Sequence, residues 1–338
     1  MTLVGCIGGG QLGRMLAQAG EPLGIRLRFL DPAPDACAGE VGELLVGPYD
    51  DSELLDRLAA GAEVVTYEFE NVPVSAARRV RALPEARALE HGQDRLLEKE
   101  LFGRLGIPTA RFGALEHVGV PALVKSRRLG YDCKGQRVAA VQEPLGPGEL
   151  AEEIVPFERE LSIIAVRGRR GETAFYPLAE NEHRDGILAI TRAPAARGPQ
   201  EQAEEIVRRL LDELDYVGVL SVELFQVGER LLANEFAPRV HNSGHWTIDG
   251  AATSQFENHL RAILGLPLGS TQAVGQAAMV NLVGSLPPLE RLREVPGVHV
   301  HLYGKVPRPG RKLGHVTLVD ADRDAVAEVV RLAEAAWC

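Results

Sequence analysis

Lysine is scarce in this chain of 338 residues, because arginine supplies most of its positive charge. Lysine occurs at Lys99, Lys125, Lys134, Lys305 and Lys312. A lysine ammonium is a compact point charge that the planar arginine side chain does not replace. The few lysines either mark places where such a charge is needed or are distributed by chance, so their positions serve as supporting evidence for a site.

Positive charge as a whole is also in deficit, with 37 Lys and Arg against 47 Asp and Glu and a net charge of -10. An acidic chain disfavours a long nucleic-acid surface or an anionic membrane face. No apolar run approaches the roughly 18 residues of a membrane span. We expect neither a nucleic-acid nor a membrane partner, and any phosphorylated ligand needs a local basic cluster.

Cysteine is rare, and Cys6, Cys37, Cys133 and Cys338 lack the spacing of a metal site or a disulfide framework. This usage favours a reducing compartment, and we expect the protein in the cytoplasm. The length predicts two or three domains with room for a large core.

The first third of the chain alternates predicted strands and helices. Residues 3–7 and 25–30 are typical of buried strands, residues 52–60 of a helix that Gly61 ends, and residues 64–69 of a third strand. Repeated strand–helix units form parallel sheets. Residues 1–92 are therefore predicted to form a Rossmann-like domain.

A glycine turn follows the first strand. Gly8, Gly10 and Gly13 match the dinucleotide-binding pattern, and Asp31 lies where a ribose-binding acid would be. A helix N-terminus with exposed amides binds any phosphate or carboxylate, so an NAD-dependent oxidoreductase and a tight turn without a ligand both stay open. Glu68 lies at the carboxyl end of the third strand, either as part of a ligand site or in a solvated turn.

After residue 92 the pattern changes to short strands with tight turns, as in antiparallel sheets. Lys125 ends an apolar strand, and the glycine-bearing loop 130–136 either covers phosphates or is an exposed hairpin turn. Residues 152–155 and Glu160 alternate acidic and apolar side chains. Such a strand edge can offer backbone hydrogen bonds to adenine and a carboxylate to a ribose hydroxyl.

A hairpin of residues 219–227 and 231–236 contains two glutamates. A three-residue loop at 228–230 pairs Glu223 with Glu235 on one face, with Cβ atoms about 4.5 to 5.5 Å apart. Facing carboxylates repel each other unless a divalent cation lies between them. A two-residue loop would place them on opposite faces, and a solvated sheet face is the alternative to a metal site.

Two further polar segments are candidate sites. The run 234–245 follows Glu235 directly and suits the stabilisation of a developing anion, with a structural loop as the alternative. Residues 305–312 carry four basic residues and no acid. This loop is a good phosphate-monoester site, and its alternative is a solvated run of charges.

Together these segments resemble the 5-(carboxyamino)imidazole ribonucleotide synthases, which are ATP-grasp enzymes of purine biosynthesis. The matching motifs span nearly the whole chain: residues 8–15, 67–73, 130–136, 157–162, 234–246 and 303–315. The resemblance implies a mixed α/β and α+β chain. Its parts are the Rossmann-like domain at 1–92, an ATP-grasp domain at 93–270 and a small C-terminal α+β domain at 271–338.

The resemblance also implies the reaction. ATP and bicarbonate give carboxyphosphate, whose carboxyl group passes to the exocyclic amine of 5-aminoimidazole ribonucleotide, with two Mg²⁺ ions bound and the protein a homodimer. Another ATP-grasp ligase, activating formate or an amino-acid carboxylate, is the nearest alternative. A non-catalytic sensor that binds ATP without hydrolysing it is another alternative.

Individual roles follow from the same resemblance. The metal ligands are Glu223 and Glu235. Contacts to ATP are implied for Arg95, Lys125, Gly130, Tyr131, Asp132, Cys133, Lys134, Gly135, Gln136, Glu152, Glu153, Ile154, Val155, Glu160, His183, Asn234 and Glu235. Contacts to the ribonucleotide are implied for Gly10, Gln11, Leu12, Glu68, Tyr131, Asp132, Lys134, Lys305, Arg311 and Lys312.

The catalytic group implied by the resemblance consists of Asp132, Lys134, Arg239, His241 and Asn242. Arg239, His241 and Asn242 would hold carboxyphosphate, and Asp132 would take or orient the amine proton. One residue departs from the family pattern, because Cys133 stands where glycine is usual. If that position needs a positive φ, the cysteine strains the loop.

Overall fold

A computed structural model describes residues 1–130 and 135–337. Tyr131, Asp132, Cys133 and Lys134, all predicted site residues, lie outside the described residues. The described part of the chain contains three sheets. None of its helices has the length and apolar character needed to cross a membrane.

The N-terminal segment forms a four-stranded parallel sheet with the strand order β3-β2-β1-β4, which confirms the predicted strand–helix repeat. The short strand β3 was not predicted from the sequence. The elements of this segment are β1 (Thr2–Ile7), α1 (Gln11–Gly20), β2 (Ile25–Asp31), β3 (Glu43–Val46), α2 (Ser52–Ala59), β4 (Val64–Tyr67), α3 (Val74–Arg79) and α4 (Ala86–Gly92).

The middle segment is mostly antiparallel, as predicted. One helix precedes a four-stranded sheet with the order β5-β8-β6-β7, and the strands β9 to β14 belong to a larger sheet. The elements are α5 (Arg95–Arg104), β5 (Phe112–Gly113), α6 (Leu115–Val118), β6 (Ala122–Ser126), β7 (Gln136–Ala139), β8 (Glu149–Glu153), β9 (Arg159–Arg167), β10 (Thr173–Phe175), β11 (Ala179–Arg184), β12 (Ile187–Ala193), α7 (Gln200–Glu213), β13 (Gly218–Val227), β14 (Arg230–Ala237), α8 (Thr247–Gly250) and α9 (Gln255–Leu264).

The C-terminal segment extends the larger sheet to nine strands. β15 pairs with β12, and β17 lies between β15 and β16. The elements are β15 (Ala277–Val283), α10 (Leu289–Arg293), β16 (Val298–Leu302), β17 (Lys312–Val319) and α11 (Arg323–Ala335). The sheet crosses residue 270, and the domain boundaries at residues 92 and 270 stay predictions.

Local capping explains where the helices near the site begin. The Asp94 side chain accepts a hydrogen bond from the Leu96 N–H at the start of α5. The Ser254 side chain accepts one from the Glu257 N–H at the start of α9, and Gly265, at φ 70°, ends that helix. Both side chains satisfy N–H groups that the helix itself leaves without partners.

The N-terminal sheet and the larger sheet share one hydrophobic core. Leu16 of α1 and Leu260 of α9 are both fully buried in it. A Cβ added at Gly20 would lie 3.1 Å from the Leu260 Cδ1 atom, so the two helices approach closely there. Full burial of a leucine side chain contributes about 1.5 to 3 kcal/mol. This packing holds the glycine turn in a fixed place relative to the larger sheet.

Candidate active site

The glycine turn binds carboxylates of its own chain. The Glu68 side chain accepts hydrogen bonds from the N–H groups of Gly10 (3.0 Å), Leu12 (3.1 Å) and Gly13 (3.2 Å). Burial raises the pKa of Glu68 above its usual range, although the N–H groups of Gly10 and Gly13 favour its charged form. A carboxylate therefore lies where a dinucleotide would place its pyrophosphate.

Asp31 is also engaged within the turn. Its carboxylate accepts hydrogen bonds from the Gly9 N–H at 2.8 Å and from the Tyr49 hydroxyl at 3.0 Å. The acid that the nicotinamide hypothesis assigns to a ribose hydroxyl thus supports the turn itself. The geometry does not favour the oxidoreductase alternative.

The hairpin of β13 and β14 places Glu223 directly opposite Glu235, as predicted. The predicted three-residue loop was wrong, since Val227 pairs with Arg230 and two residues connect the strands. A β-bulge between Glu223 and Leu224 shifts the register by one residue, so Asn234 is the extra residue. The bulge restores the pairing that a two-residue loop would otherwise lose.

The two facing carboxyls differ in their surroundings. Burial and the charge of Glu235 raise the pKa of Glu223. Burial alone would raise the pKa of Glu235, but the charge and hydrogen bond of Arg95 and the charge of Lys125 outweigh it and hold that pKa low. Their side chains are 18% and 38% exposed, so a ligand can reach both.

The donor set at this pair fits a hard divalent cation. Two carboxylates face each other, and the buried Asn234 Oδ1 atom has no hydrogen-bond partner among the described residues. Mg²⁺ prefers oxygen ligands and usually retains water and substrate phosphates. In the described part of the chain no three His, Cys, Asp or Glu side chains form a metal cluster. A cation bound at this pair would take its remaining ligands from water or from phosphate oxygens.

Three cationic side chains lie near the acidic pair. Arg95 donates to the Glu235 Oε2 atom at 2.7 Å and to the Gly130 carbonyl at 3.1 Å. The Lys125 Nζ atom donates to the Glu152 Oε2 atom at 3.0 Å, and Lys99 lies 3.5 Å from the same oxygen. Arg95 thus connects the acidic pair to the start of the 130–136 loop.

The segment around Glu152 runs along the end of β8. Glu152 is buried, whereas Glu153 forms an ion pair with Arg111. Ile154 is 49% exposed and Val155 is buried. The exposed apolar side chain and the adjoining strand end provide an apolar surface with backbone polar groups, which is what an adenine ring needs.

Glu160 and His183 form a pair on neighbouring strands, with their side chains 2.6 Å apart. Burial lowers the pKa of His183, but the hydrogen bond to Glu160 and the charge of Glu223 outweigh it, and the pKa is raised. On β6, Lys125 pairs with Gln136 of β7, and Gly135 has a φ of 74°. These predicted nucleotide contacts thus lie on two different sheets.

The polar run after β14 lies beside the acidic pair. The His241 Nε2 atom is 3.6 Å from the Glu223 Oε1 atom, and Gln255 bonds both the N–H and the carbonyl of His241. Arg239 forms an ion pair with Glu70. The buried Asn242 amide has no hydrogen-bond partner among the described residues for either of its polar atoms.

Burial, together with the charge of Arg239, lowers the pKa of His241 to about 3. The imidazole is therefore neutral near neutral pH, and because its Nδ1 atom accepts a hydrogen bond from the Ser243 N–H, the Nε2 atom carries the proton and can donate one hydrogen bond. A partly buried cation, a neutral imidazole and an amide without hydrogen-bond partners among the described residues together suit the binding of an anion.

The basic loop meets the glycine turn. The Lys305 Nζ atom donates to the Gln11 Oε1 atom and lies 5.8 Å from the centre of the Tyr303 ring. Arg311 donates to the Val306 carbonyl at 3.1 Å, and Lys312 begins β17. Burial lowers the pKa of Lys305. Residues predicted to contact the ribonucleotide from opposite ends of the chain therefore lie side by side.

Sequence reasoning assigned no role to Glu98 or Lys99. Glu98 is 2% exposed and Lys99 is fully buried, and both contact the backbone of β14. The scarcity of lysine was a signal for Lys99, because a buried lysine in an arginine-rich chain needs a specific partner. No sequence signal pointed to Glu98.

Family models match most of the chain. The ribonucleotide synthetase preATP-grasp domain matches residues 1–93, the ATP-grasp domain matches residues 108–256, and the phosphoribosylaminoimidazole carboxylase C-terminal domain matches residues 277–329. The order of the three matches agrees with the fold class predicted from the sequence.

Individual relatives match over nearly their full length. The N5-carboxyaminoimidazole ribonucleotide synthase of Pseudomonas aeruginosa is 50% identical, over 98% of this chain and 99% of that protein. The crystal structure of the Thermus thermophilus synthetase has a TM-score of 0.93 at 54% identity, with 97% of this chain and 98% of that chain covered.

A more distant solved structure contains ligands. The Aspergillus clavatus N5-carboxyaminoimidazole synthase, in complex with ADP and 5-aminoimidazole ribonucleotide, has a TM-score of 0.88 at 30% identity. The match covers 98% of both chains.

Proposed function

The chain belongs to the N5-carboxyaminoimidazole ribonucleotide synthase family, and we propose that it carboxylates 5-aminoimidazole ribonucleotide with MgATP and bicarbonate. It is an ATP-grasp ligase of purine biosynthesis, and ATP is its nucleotide. The proposal specifies bicarbonate as the source of the carboxyl group and Mg²⁺ as the metal ion. The facing Glu223 and Glu235 carboxylates are the observation that carries it.

The first step is a phosphoryl transfer. A bicarbonate oxygen attacks the γ-phosphorus of ATP, the bond to the β,γ-bridging oxygen breaks, and ADP leaves with that electron pair. This chain contributes positioning and charge neutralisation. Lys125 and Arg239 would stabilise the charge on the transferred group, and Asn242 would orient the bicarbonate oxygens.

Glu223 and Glu235 would be the metal ligands, and Asn234 lies beside them. We propose that two Mg²⁺ ions bind. Bound Mg²⁺ supplies Lewis-acid neutralisation of the phosphate oxygens. Arg95 would hold Glu235 in place and contact the nucleotide. Residues 152–155, Glu160 and His183 would bind the adenosine.

The second step moves the carboxyl group. The exocyclic amine attacks the carboxyl carbon of carboxyphosphate, inorganic phosphate leaves with the C–O electron pair, and the nitrogen loses a proton. His241 and Arg239 would hold the phosphate until it leaves. Asp132 as the proton acceptor, with Tyr131 and Lys134 nearby, stays a prediction from the sequence because these residues lie outside the described part of the chain.

The ribonucleotide would bind between the glycine turn and the basic loop. Lys305, Arg311 and Lys312 would bind its phosphate, because arginine and lysine form charge-assisted hydrogen bonds to phosphate. Gly10, Gln11, Leu12 and Glu68 would line the opposite wall. The contact between Lys305 and Gln11 supports this placement, since it brings the two segments together.

The reaction is tested by measuring ADP release with 5-aminoimidazole ribonucleotide, with and without bicarbonate. We expect turnover only when both are present, with one ADP formed per carboxylated ribonucleotide. Equal turnover with formate in a bicarbonate-free buffer would identify a different ATP-grasp ligase. Binding of ATP without any turnover would identify a nucleotide sensor.

We also propose that the protein is a cytoplasmic homodimer. Sedimentation equilibrium tests the assembly, with an expected mass twice the chain mass of 36.5 kDa. A single species at the chain mass would contradict it.

A further inference from the structure

We infer that Lys99 is a positioning residue, which keeps Glu235 opposite Glu223 by binding the β-bulge at Asn234. This inference rests on the metal role proposed for the two glutamates. It adds a buried residue, to which no nucleotide contact is assigned, on which their alignment depends.

The bulge decides which way Glu235 points. On the loop side of the bulge Leu224 pairs with Ala233, and beyond it Glu223 pairs with Glu235. Without the extra residue, Glu235 would pair with Val222, whose side chain is buried in the core. A slip of one residue moves a side chain to the other face of a sheet. The acidic pair therefore exists only while the bulge is held.

The outer edge of β14 is bound at the bulge. The Lys99 Nζ atom donates to the Asn234 carbonyl at 2.7 Å, and the Thr109 hydroxyl donates to the Ala233 carbonyl at 2.7 Å. In a regular strand, carbonyls of successive residues point to opposite edges. Here two consecutive carbonyls are bound on the same side, which is the arrangement that the bulge creates.

A second residue of α5 binds the strand beyond the bulge. The Glu98 Oε1 atom accepts a hydrogen bond from the Phe236 N–H at 2.6 Å. Two consecutive residues of α5, Glu98 and Lys99, thus contact β14 on both sides of Glu235. A helix capped by Asp94 is a rigid support for these contacts.

Lysine is the side chain that suits this position. Its ammonium has three N–H donors, and three acceptors surround it: the Asn234 carbonyl, the Thr109 hydroxyl at 3.0 Å and the Glu152 carboxylate at 3.5 Å. The flat guanidinium of arginine is larger and directs its donors into one plane. This requirement explains why lysine and not arginine occupies a fully buried position in this arginine-rich chain.

The test measures binding rather than turnover. The dissociation constant of ADP is determined by calorimetry in excess Mg²⁺ and in EDTA, and the ratio of the two values is the magnesium enhancement. We expect Lys99→Met to reduce the enhancement about tenfold or more, as loss of a residue that orients a metal ligand does. Its ADP affinity in EDTA should stay near that of the wild type.

Two further variants separate positioning from loss of stability. Leu101→Ala removes a buried side chain of the same helix that lies in the core, so it lowers the melting temperature and should keep the wild-type enhancement. Thr109→Val removes the hydroxyl with little change of shape and should reduce the enhancement even if Lys99→Met fails to fold. Thr109→Ser should restore it.

The outcomes distinguish the inference from the function on which it rests. Wild-type enhancement in Glu235→Gln would show that the metal lies elsewhere, and both ideas would fail. If Glu235→Gln loses the enhancement but Lys99→Met keeps the wild-type value, the positioning role alone is overturned. If Lys99→Met does not fold, a wild-type enhancement in Thr109→Val overturns it in the same way. An equal loss in Leu101→Ala would also overturn it, because general destabilisation would then account for the effect.

Discussion

Glu223 lies directly across from Glu235 although the loop between their strands is two residues long. The relationship depends on the β-bulge and not on the turn. It concentrates negative charge beside Arg95 and Lys125, at a position open to a ligand.

Glu235→Gln should nearly abolish ATP turnover. The amide keeps the shape of the side chain but removes one of the two charges that would hold the metal. A loss of about 4 kcal/mol of transition-state stabilisation corresponds to roughly a thousandfold lower kcat. ADP release in the presence of the ribonucleotide and bicarbonate measures it. Glu229→Gln, in the exposed loop of the same hairpin, should behave as the wild type. Turnover near wild type in Glu235→Gln would refute the metal role.

Lys305→Ala and Lys312→Ala should each raise the KM for the ribonucleotide more than the KM for ATP. Loss of one charge-assisted hydrogen bond costs about 1.5 to 3 kcal/mol, which is roughly a 10- to 100-fold change in affinity. Steady-state kinetics with each substrate varied in turn measure both constants. Arg308→Ala is the control, because Arg308 is exposed in the same loop. A larger change in the KM for ATP would place the phosphate site elsewhere.

Stability should fall in acid because of His259. Its Nδ1 atom accepts a hydrogen bond from the Val219 N–H, and its Nε2 atom lies 2.9 Å from the Thr66 hydroxyl. Burial lowers the pKa of His259 to about 4. The neutral ring therefore contributes stability that is fully present above an unfolded-state pKa of about 6.5 and is lost as the pH falls to about 4.

The contribution of His259 is on the order of 3 kcal/mol over this range. Urea unfolding at a series of pH values measures it for the wild type and for His259→Gln, which does not titrate. Between about pH 6.5 and pH 4, the free energy of unfolding should fall less in the variant than in the wild type, by about that amount. Parallel curves for the two proteins would show that His259 does not carry the effect.

Nicotinamide dinucleotides should not bind the glycine turn. The Glu68 carboxylate already accepts the N–H groups that a pyrophosphate would need, and its charge repels one. Calorimetry with NAD⁺ should show no saturable binding, with MgADP as the positive control in the same preparation. Saturable binding of NAD⁺ in the absence of ADP would contradict this assignment of the turn.

Local patterns in the sequence predicted much of the fold. The strand–helix repeat predicted the parallel sheet, and the short strands with tight turns after residue 92 predicted the antiparallel sheets. These features depend on residues close together in the chain. The strand Glu43–Val46 was missed because four residues carry little periodic signal.

The acidic pair was predicted from an incorrect loop length. A bulge depends on contacts from Lys99 and Thr109, which are more than a hundred residues away in sequence, so strand alternation alone could not reveal it. For the same reason, sequence reasoning did not show that Glu68 binds the glycine turn. The roles assigned to the individual site residues came from the family resemblance, and they stay predictions.

The metal assignment is tested most directly by the crystal structure of a complex with ADP and Mn²⁺ in place of Mg²⁺. Anomalous scattering locates Mn²⁺ without reference to the protein coordinates. We expect a peak between Glu223 and Glu235, at about 2 Å from an oxygen of each carboxylate and from a phosphate oxygen of ADP. A peak bound to other side chains, or ADP bound with no metal at this pair, would contradict it.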